Sequence, residues 1–441
     1  MAVMTGVLNS TNTVPTEAVE RTRPGLTAGW SRGGSPMDWV EHVRCYGPLP
    51  GPRRAGRRGG DPGLIRAVEQ AGLRGRGGAW FPTHRKLAEV AAGRRPGSGP
   101  PLVVANGCEG DPASSKDHAL LGLAPHLVLD GIELAARAVG APEAVLCMHR
   151  DDPLAELLRT AIAQRPATGP DLRVVEVPVR YVASVDTSLV NFLTTGTARP
   201  LAREPRPSQR GVDGRPTLVD NVETLAHLAL IARRGPEWFR ARGTEDAPGT
   251  ALITVGGAVR APGVYEIDLG APLGHPLRMA GGTLGPVPAV LLGGLGGRWL
   301  PLPAMANLAL TDPACRDVGA RLGIASLIVL PVGSCGLAST ATVLRYLAAE
   351  SAGQCGPCMF GLPAIADGMD RIAQGTADPA DLHRLRGRLG VIPGRGACAH
   401  PDGAAGLAAS ALEVFAEDLA RHLAGQPCPT ADQLFPLYGV A

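Results

Sequence analysis

The chain has 441 residues, 45% hydrophobic and 19% charged, with a net charge of +3. A chain of this length supports about two to four domains with real cores, and its near-balanced charge argues against nucleic acid as the main partner. No apolar run is long enough to span a bilayer, and Met1 to Pro24 lack the positive-then-apolar pattern of an export signal; the expectation is a cytoplasmic protein without direct membrane insertion.

Residues 1–60 are rich in Pro, Gly, Ser and Arg and read as mostly disordered tail, with Met37 to Val43 as an apolar patch able to dock. From 61 to 245 helical and strand patterns alternate. Helices are predicted at 64–73, 126–140, 154–164 and 221–235, and strands at 101–106, 143–149 and 172–180. This alternation implies βαβ units and a mostly parallel sheet, hence an α/β class with a Rossmann-like nucleotide-binding domain. From 246 to 334 two strands joined at Ala261-Pro262-Gly263 are followed by a short helix and further strands in 290–297 and 326–333, a small α+β domain. Residues 335–428 give four helix candidates (338–352, 362–375, 379–389 and 407–425) and predict a compact bundle. Residues 429–441 are left as a tail.

Several loops beside these elements carry polar chemistry. Gly75-Arg76-Gly77-Gly78-Ala79-Trp80-Phe81 precedes a helix start. Closely spaced glycines let backbone N–H groups turn toward an anion, with Arg76 and Lys86 as further positive groups, although a tight structural turn explains the glycines equally well. Asn106-Gly107-Cys108-Glu109-Gly110-Asp111 follows an apolar strand, where ligands sit in parallel sheets; the plainer reading is an acidic loop capping the next helix. Tyr181 to Thr187 again follows a strand. Thr217 to Thr224 opens a helix, where Asp220 or Asn221 can serve as N-cap. Of 43 basic residues only Lys86 and Lys116 are lysines. A lysine retained against such a bias points to a site needing a compact ammonium instead of a planar fork.

Nine cysteines are too few for a disulfide scaffold in a chain this long. Cys45, Cys108, Cys147, Cys315, Cys335 and Cys428 are scattered singly and read as small buried hydrophobes. Cys355-Gly-Pro-Cys358 with Cys398 differs: a C-x₂-C pair and a distant partner, on loops between helices, suit a metal or cluster. Structural zinc, with His400 as fourth ligand, is the competing reading.

Taken in order, these segments resemble the NADH-oxidising subunit of respiratory complex I and the related flavoprotein subunits of NAD-linked hydrogenases and formate dehydrogenases, over roughly residues 62–425. The resemblance implies an FMN-binding domain, a soluble-ligand-binding β-grasp domain at 246–334, and a helical domain with one [4Fe–4S] cluster. It places Gly75, Arg76, Gly77, Gly78 and Lys86 at the FMN site, with Asn106, Tyr181, Asp186, Asp220, Asn221 and Thr224 among the cofactor-binding positions. Phe81, Glu109 and Asp111 fall where the nicotinamide nucleotide binds, and Cys355, Cys358 and Cys398 where the cluster is held. The implied activity is that of an NADH dehydrogenase-type oxidoreductase, passing electrons through FMN and the cluster to an acceptor such as a ferredoxin or a thioredoxin-like iron–sulfur subunit.

The chain also departs from that pattern. The family has Gly at the positions of Trp80 and His84, and Asp at that of Cys108. Its Gly-Glu-Glu run is Ser184-Val185-Asp186 here. The first cysteine of its C-x₂-C-x₂-C run is Ala352, which leaves three thiolates; Ser351, His400 or an external thiolate would supply a fourth ligand, or the cluster would be incomplete. Cys335 precedes Ala352 by about 25 Å of helix. The alternatives to an active flavoprotein are a non-catalytic scaffold or assembly paralogue with degenerate sites, and a zinc-stabilised binding protein.

Overall fold

The fold follows the successive changes in hydrophobic period along the chain. The computed structural model describes residues 25–30, 34–51, 60–93, 98–166, 169–201 and 205–429. Part of the stretch expected to be tail is packed. Helix α1 (Trp39–Tyr46) opens with a capping box between Asp38 and Glu41, and Met37, His42 and Tyr46 are buried against the first core. Residues 1–24, 31–33 and 52–59 of the expected N-terminal tail, and residues 430–441 of the C-terminal one, lie outside the described residues.

The α/β region runs α2 (Pro62–Ala71), α3 (Thr83–Ala92), β1 (Leu102–Asn106), α4 (Lys116–Leu123), α5 (Pro125–Val139), β2 (Glu143–His149), α6 (Leu154–Ala163), β3 (Asp171–Val177), α7 (Asp186–Thr195), β4 (Thr217–Asn221), α8 (Val222–Arg234) and α9 (Pro236–Arg240). All four strands are parallel, in the order β3-β2-β1-β4. The chain moves outward from β1 on one side and returns on the other, so the topology reverses between β1 and β4. Such a reversal leaves a crevice at the carboxyl ends of the two strands. Register places Asn106 beside Asn221 there.

Helix α5 is buried along nearly its whole length. It approaches α8 so closely that a Cβ on Gly131 would lie 2.0 Å from Leu225 O. Only glycine allows that contact. One residue earlier, Asp130 is fully buried and meets His42 (2.7 Å), Arg165 (2.6 Å) and Arg233. Burial alone would push its carboxyl up, but these three partners hold it at about 2. The cluster ties α1 to α5, to the segment just after α6, and to α8.

The second body contains β5 (Thr250–Gly257), β6 (Gly263–Asp268), α10 (Gly274–Met279), β7 (Ala289–Leu292), β8 (Arg298–Pro301), α11 (Asp312–Asp317) and β9 (Ser326–Val329). Its mixed sheet has the order β6-β5-β9-β7-β8, with β5 parallel to β9 and the other pairs antiparallel. The third body is helical: α12 (Gly336–Ala349), α13 (Leu362–Ala373), α14 (Pro379–Val391), α15 (His400–Val414) and α16 (Ala416–Leu423). The helix expected over 407–425 starts earlier and breaks at Phe415, whose ring packs edge-on against Trp299 at 5.4 Å. Trp299 belongs to β8, yet its Nε1–H donates to Thr340 of α12 (2.9 Å) and its backbone N–H to Ser410 of α15 (3.1 Å). One buried indole therefore joins the second body to the third. Among the described residues no single helix is long and apolar enough to cross a membrane.

Asp130→Asn is expected to destabilise the chain by about 3–5 kcal/mol at pH 7, because it leaves two buried guanidinium groups underpaired. The folded-state pKa is depressed, so the stabilisation is present above the ordinary carboxylate range and is lost as pH falls toward 2. The gap between variant and parent in urea denaturation should therefore narrow by about 1 kcal/mol between pH 7 and pH 3. An unchanged gap would show that the carboxylate charge is not what stabilises this cluster.

Candidate functional site

The glycine loop between α2 and α3 closes on itself. Gly75 N–H donates to Phe81 O (2.8 Å) and Thr83 N–H to Leu73 O (3.0 Å). Within the loop Gly78 has φ +99° and Trp80 has φ +53°. The left-handed region costs a non-glycine residue about 1–2 kcal/mol. Trp80 stays there because its indole is anchored: Nε1–H donates to Gly323 O (2.8 Å), the ring is buried in the core of the second body, and the Arg76 guanidinium lies 4.7 Å from its centroid. The bulk introduced at this position thus turns toward the β-sheet of the second body.

The loop stands over the end of β4. A Cβ added to Gly77 would lie 3.3 Å from Asn221 Cβ, and one added to Gly75 3.9 Å from Asp220 Oδ1. The Arg76 guanidinium, expected as a positive group for an anion, is committed inside the protein. Nη2 and Nε donate to Thr250 O (2.9 and 3.3 Å), Nη1 donates to Arg74 O (2.7 Å), and Glu223 lies 3.8 Å away. The Arg76 backbone N–H donates to Thr224 Oγ1 (2.8 Å). Arg76 and Thr224 therefore shape the loop from behind.

Lys86 faces the crevice with its side chain partly exposed. Its Nζ donates to Val219 O (2.9 Å) and lies 3.4 Å from Asp186 and 3.9 Å from Asp220. Burial lowers its pKa, but Asp186 and Asp220 more than offset that and hold the ammonium above its usual range. Asp220 is only 3% exposed, and its Oδ2 has no hydrogen-bond partner. Burial raises its carboxyl to about 6 despite the nearby ammonium. This is a buried acceptor without a donor, beside the glycine loop and at the sheet's topological reversal.

Other expected residues divide between the crevice and its scaffold. Asn106 accepts from Cys108 N–H (3.1 Å) and donates to Ser184 O (2.8 Å), pinning the β1 loop to the Tyr181–Asp186 segment. Asn221 caps α8 by accepting from Glu223 N–H (3.0 Å) and donates to Asp117 (2.7 Å). Glu109 accepts from the N–H groups of Asp117 (3.2 Å) and His118 (3.0 Å), so it caps the start of α4, as the plainer reading anticipated. Burial, then Asp117, raises its carboxyl to about 7. Asp111 accepts from Tyr181 Oη–H, Leu295 N–H and Ala113 N–H, each at 2.9 Å. Phe81 is partly exposed at the loop's closing bond.

Sequence reasoning missed Glu223 and the role of Lys116. Lys116 is buried, with Nζ 2.7 Å from Asp117 and 2.8 Å from Glu223. Its retention as lysine was the available signal: a point charge fits between converging carboxylates where a planar fork would not.

The three candidate cysteines converge. Partial burial pushes the Cys355 thiol up, but the N–H groups of Ala397 and Cys358 bring it below the ordinary value. The Cys358 thiol is raised to about 12 by burial and by the nearby Cys355 and Cys398. The Ala352 N–H points at the Cys358 sulfur, so the position without a thiolate still borders the site. His400 Nε2 lies 2.7 Å from Leu347 O. Four ligands around one zinc ion stand about 3.4–3.8 Å apart, whereas thiolates around a cluster are separated by its metal core. Among the described residues, Cys355, Cys358, Cys398 and His400 do not form a set of three with all ligand atoms within 4.8 Å.

Residues 68–230 match the family of the Nuo51 FMN-binding domain, and residues 338–422 that of the NADH-ubiquinone oxidoreductase-F iron–sulfur binding region. The F subunit of the NADH-quinone oxidoreductase of Streptomyces coelicolor is 31% identical over 92% of each chain. An F subunit of the NADH-quinone oxidoreductase of Rhizobium meliloti is 30% identical over 83% of this chain and 90% of its own. Among solved structures, an NAD⁺-reducing [NiFe]-hydrogenase in the air-oxidized state superposes with a TM-score of 0.77 at 33% identity over 82% of this chain. The present chain spans 63% of that hydrogenase chain.

Asp220→Asn is expected to stabilise the cofactor-free protein by about 1–3 kcal/mol at pH 8, because a buried carboxylate is replaced by a neutral isostere. The folded pKa is raised, so the penalty is present above about 6 and disappears below the ordinary carboxylate range. Denaturation at pH 8 and pH 5 should show the larger gain at pH 8. A loss of stability at both would mean that the carboxylate has a donor.

Proposed function

Because the chain belongs to the family of NADH-quinone oxidoreductase F subunits, we propose that it is a cytoplasmic electron-entry flavoprotein that moves electrons from a reduced nicotinamide cofactor, by way of FMN and an iron–sulfur cluster, to a partner protein. The observation that carries this reading is Asp220, a buried carboxylate oxygen without a donor, beside the Lys86 ammonium at the carboxyl end of β4. A flavin's pyrimidine edge offers an N–H donor flanked by carbonyl acceptors, which suits a carboxylate and an ammonium side by side. Bound FMN supplies acceptance of an electron pair and release of single electrons.

The chain's own residues prepare the place. The Gly75–Gly78 loop lets backbone approach closely above Asp220 and Asn221. Arg76 and Thr224 fix that loop from behind. Asn106 orients the Tyr181–Asp186 segment, and Tyr181 with Asp111 closes the crevice toward the second body. Phe81 and the loop around Glu109 border the side open to a nicotinamide nucleotide. Cys355, Cys358 and Cys398 offer three thiolates to a cluster. Beside them Met359 and Phe360 are exposed, with Val391 across a groove whose rim carries Arg384 and Arg388. An apolar patch with a basic rim suits an acidic iron–sulfur partner of the ferredoxin or thioredoxin-like kind.

A second reading is favoured by two substitutions: Trp80 occupies a glycine's backbone conformation, and Ala352 stands where a thiolate is expected. It makes the chain a paralogue that keeps the fold without the cofactors. Anaerobic purification of the full chain, with flavin, iron and sulfide quantified on one sample, separates the two. We expect about one FMN and about three or four irons per chain, with flavin affinity weakened about tenfold or more in Asp220→Asn. Colourless protein without flavin or iron would overturn the electron-entry reading in favour of the paralogue.

A further inference from the structure

The proposed cluster uses three of the nine cysteines. Two of those scattered singly in sequence meet in the fold. Cys335, His422 and Cys428 each offer a ligand atom, all within 4.8 Å of one another, and form the one such trio among the described residues. They come from three places. Cys335 is the N-cap of α12, His422 lies in the last turn of α16, and Cys428 follows the turn that ends α16. Gly425 (φ +73°) reverses the chain, and Gln426 N–H donates to Arg421 O (3.0 Å). Pro427 then seats on Gly375, where a Cβ would lie 2.9 Å from Pro427 Cδ.

The imidazole is oriented for a ligand. His422 Nδ1 lies 2.9 Å from Ile372 O, so Nδ1 carries the proton and Nε2 presents its lone pair to the sulfurs. Anchoring one ring N–H on a backbone carbonyl is how metal-binding histidines are held. Nε2 is 3.7 Å from Cys335 Sγ. Bonds of about 2.3 Å to sulfur and about 2.0–2.1 Å to nitrogen, at a tetrahedral angle, separate the two atoms by about 3.6 Å. Cys428 N–H donates to Nε2 (3.0 Å) and Arg421 Nη2 to Cys428 Sγ (3.5 Å). The amide must swing aside for an ion, while the guanidinium can stay on the sulfur.

We propose that Cys335, His422 and Cys428 bind one zinc ion, with water in the fourth position, at a site separate from Cys355, Cys358 and Cys398. Two thiolates and a neutral imidazole bring the charge of a divalent ion to zero, the composition that a largely buried site tolerates. Binding two thiols releases their two protons to solvent, with no change in oxidation state. The ion would join the start of α12, the end of α16 and the returning C-terminal segment.

Metal analysis of the full chain, purified with zinc in the medium, tests this. We expect about one zinc per chain, retained when Cys355, Cys358 and Cys398 are all changed to Ser, and reduced about tenfold or more by Cys428→Ser or His422→Gln. Because those variants could fold poorly, Co²⁺ should also be added to the unaltered, chelator-treated protein. Tetrahedral d–d bands with thiolate charge-transfer absorption support the site even where the variants fail. Three results would overturn it: no zinc and no cobalt spectrum; zinc that follows Cys355, Cys358 and Cys398; or a Cys335–Cys428 disulfide, found by peptide mapping, in protein purified under reducing conditions.

Discussion

The carboxylate of Glu223 has no solvent exposure and draws partners from three directions. Lys116 reaches it from α4 at 2.8 Å, Arg76 from the glycine loop at 3.8 Å, and the backbone N–H of Leu252 donates from β5 at 2.8 Å. Burial raises its pKa, yet Lys116, His227 and Arg76 hold it at about 2. A buried charge of this kind adds little net stability, since desolvation consumes most of the attraction. Its effect is positional. The glycine loop, the start of α8, the acidic loop after β1 and the first strand of the second body cannot shift independently without leaving a charge unpaired. The crevice at β1 and β4 inherits its shape from that constraint.

This explains why Arg76 belongs to the scaffold even though it stands in a loop suited to phosphate. Its guanidinium bonds to a carbonyl 174 residues away in sequence, a destination that spacing within the loop cannot reveal. Trp80 follows from the same arrangement. Trp80 holds a left-handed conformation within the closed loop, and Arg76 together with Gly323 O provides a surface on which its indole lies. Sequence reading recognised the intrusion and the family pattern it breaks. The direction in which the side chain turns depends on the second body.

What was legible followed from local periodicity and composition. Strands β1 and β2 read as apolar runs because both faces of the sheet are covered there. Asn221 could be read as a helix cap, and the two lysines stood out against a background of arginine. The break at Phe415 was not legible, because the apolar period continues through it and the ring contact made there is with the Trp299 indole from another body. Nor was the grouping of Cys335 with Cys428. Each is bland in its own segment, and they meet because the return after α16 brings Cys428 beneath the first turn of α12.

The crevice and the cysteines belong to different bodies, and a short contiguous path connects them. Asp111 accepts from Leu295 N–H of the second body and from the Tyr181 hydroxyl at 2.9 Å. The Tyr181 ring lies 5.1 Å from the ring of His400, two residues beyond Cys398. Burial, then the Asp111 charge, raises the Tyr181 phenol well above its usual range, so it remains a donor. Burial lowers the pKa of His400, which leaves its imidazole neutral with Nε2 bonded to Leu347 O. The two aromatic groups between crevice and cysteines are therefore both uncharged near neutral pH. The packed rings of Tyr181 and His400 thus bridge the Asp111 carboxylate and the segment that carries Cys398. The loss of a thiolate at Ala352 and the gain of an indole at Trp80 leave this bridge intact: neither residue touches the Asp111–Tyr181 hydrogen bond or the Tyr181–His400 contact.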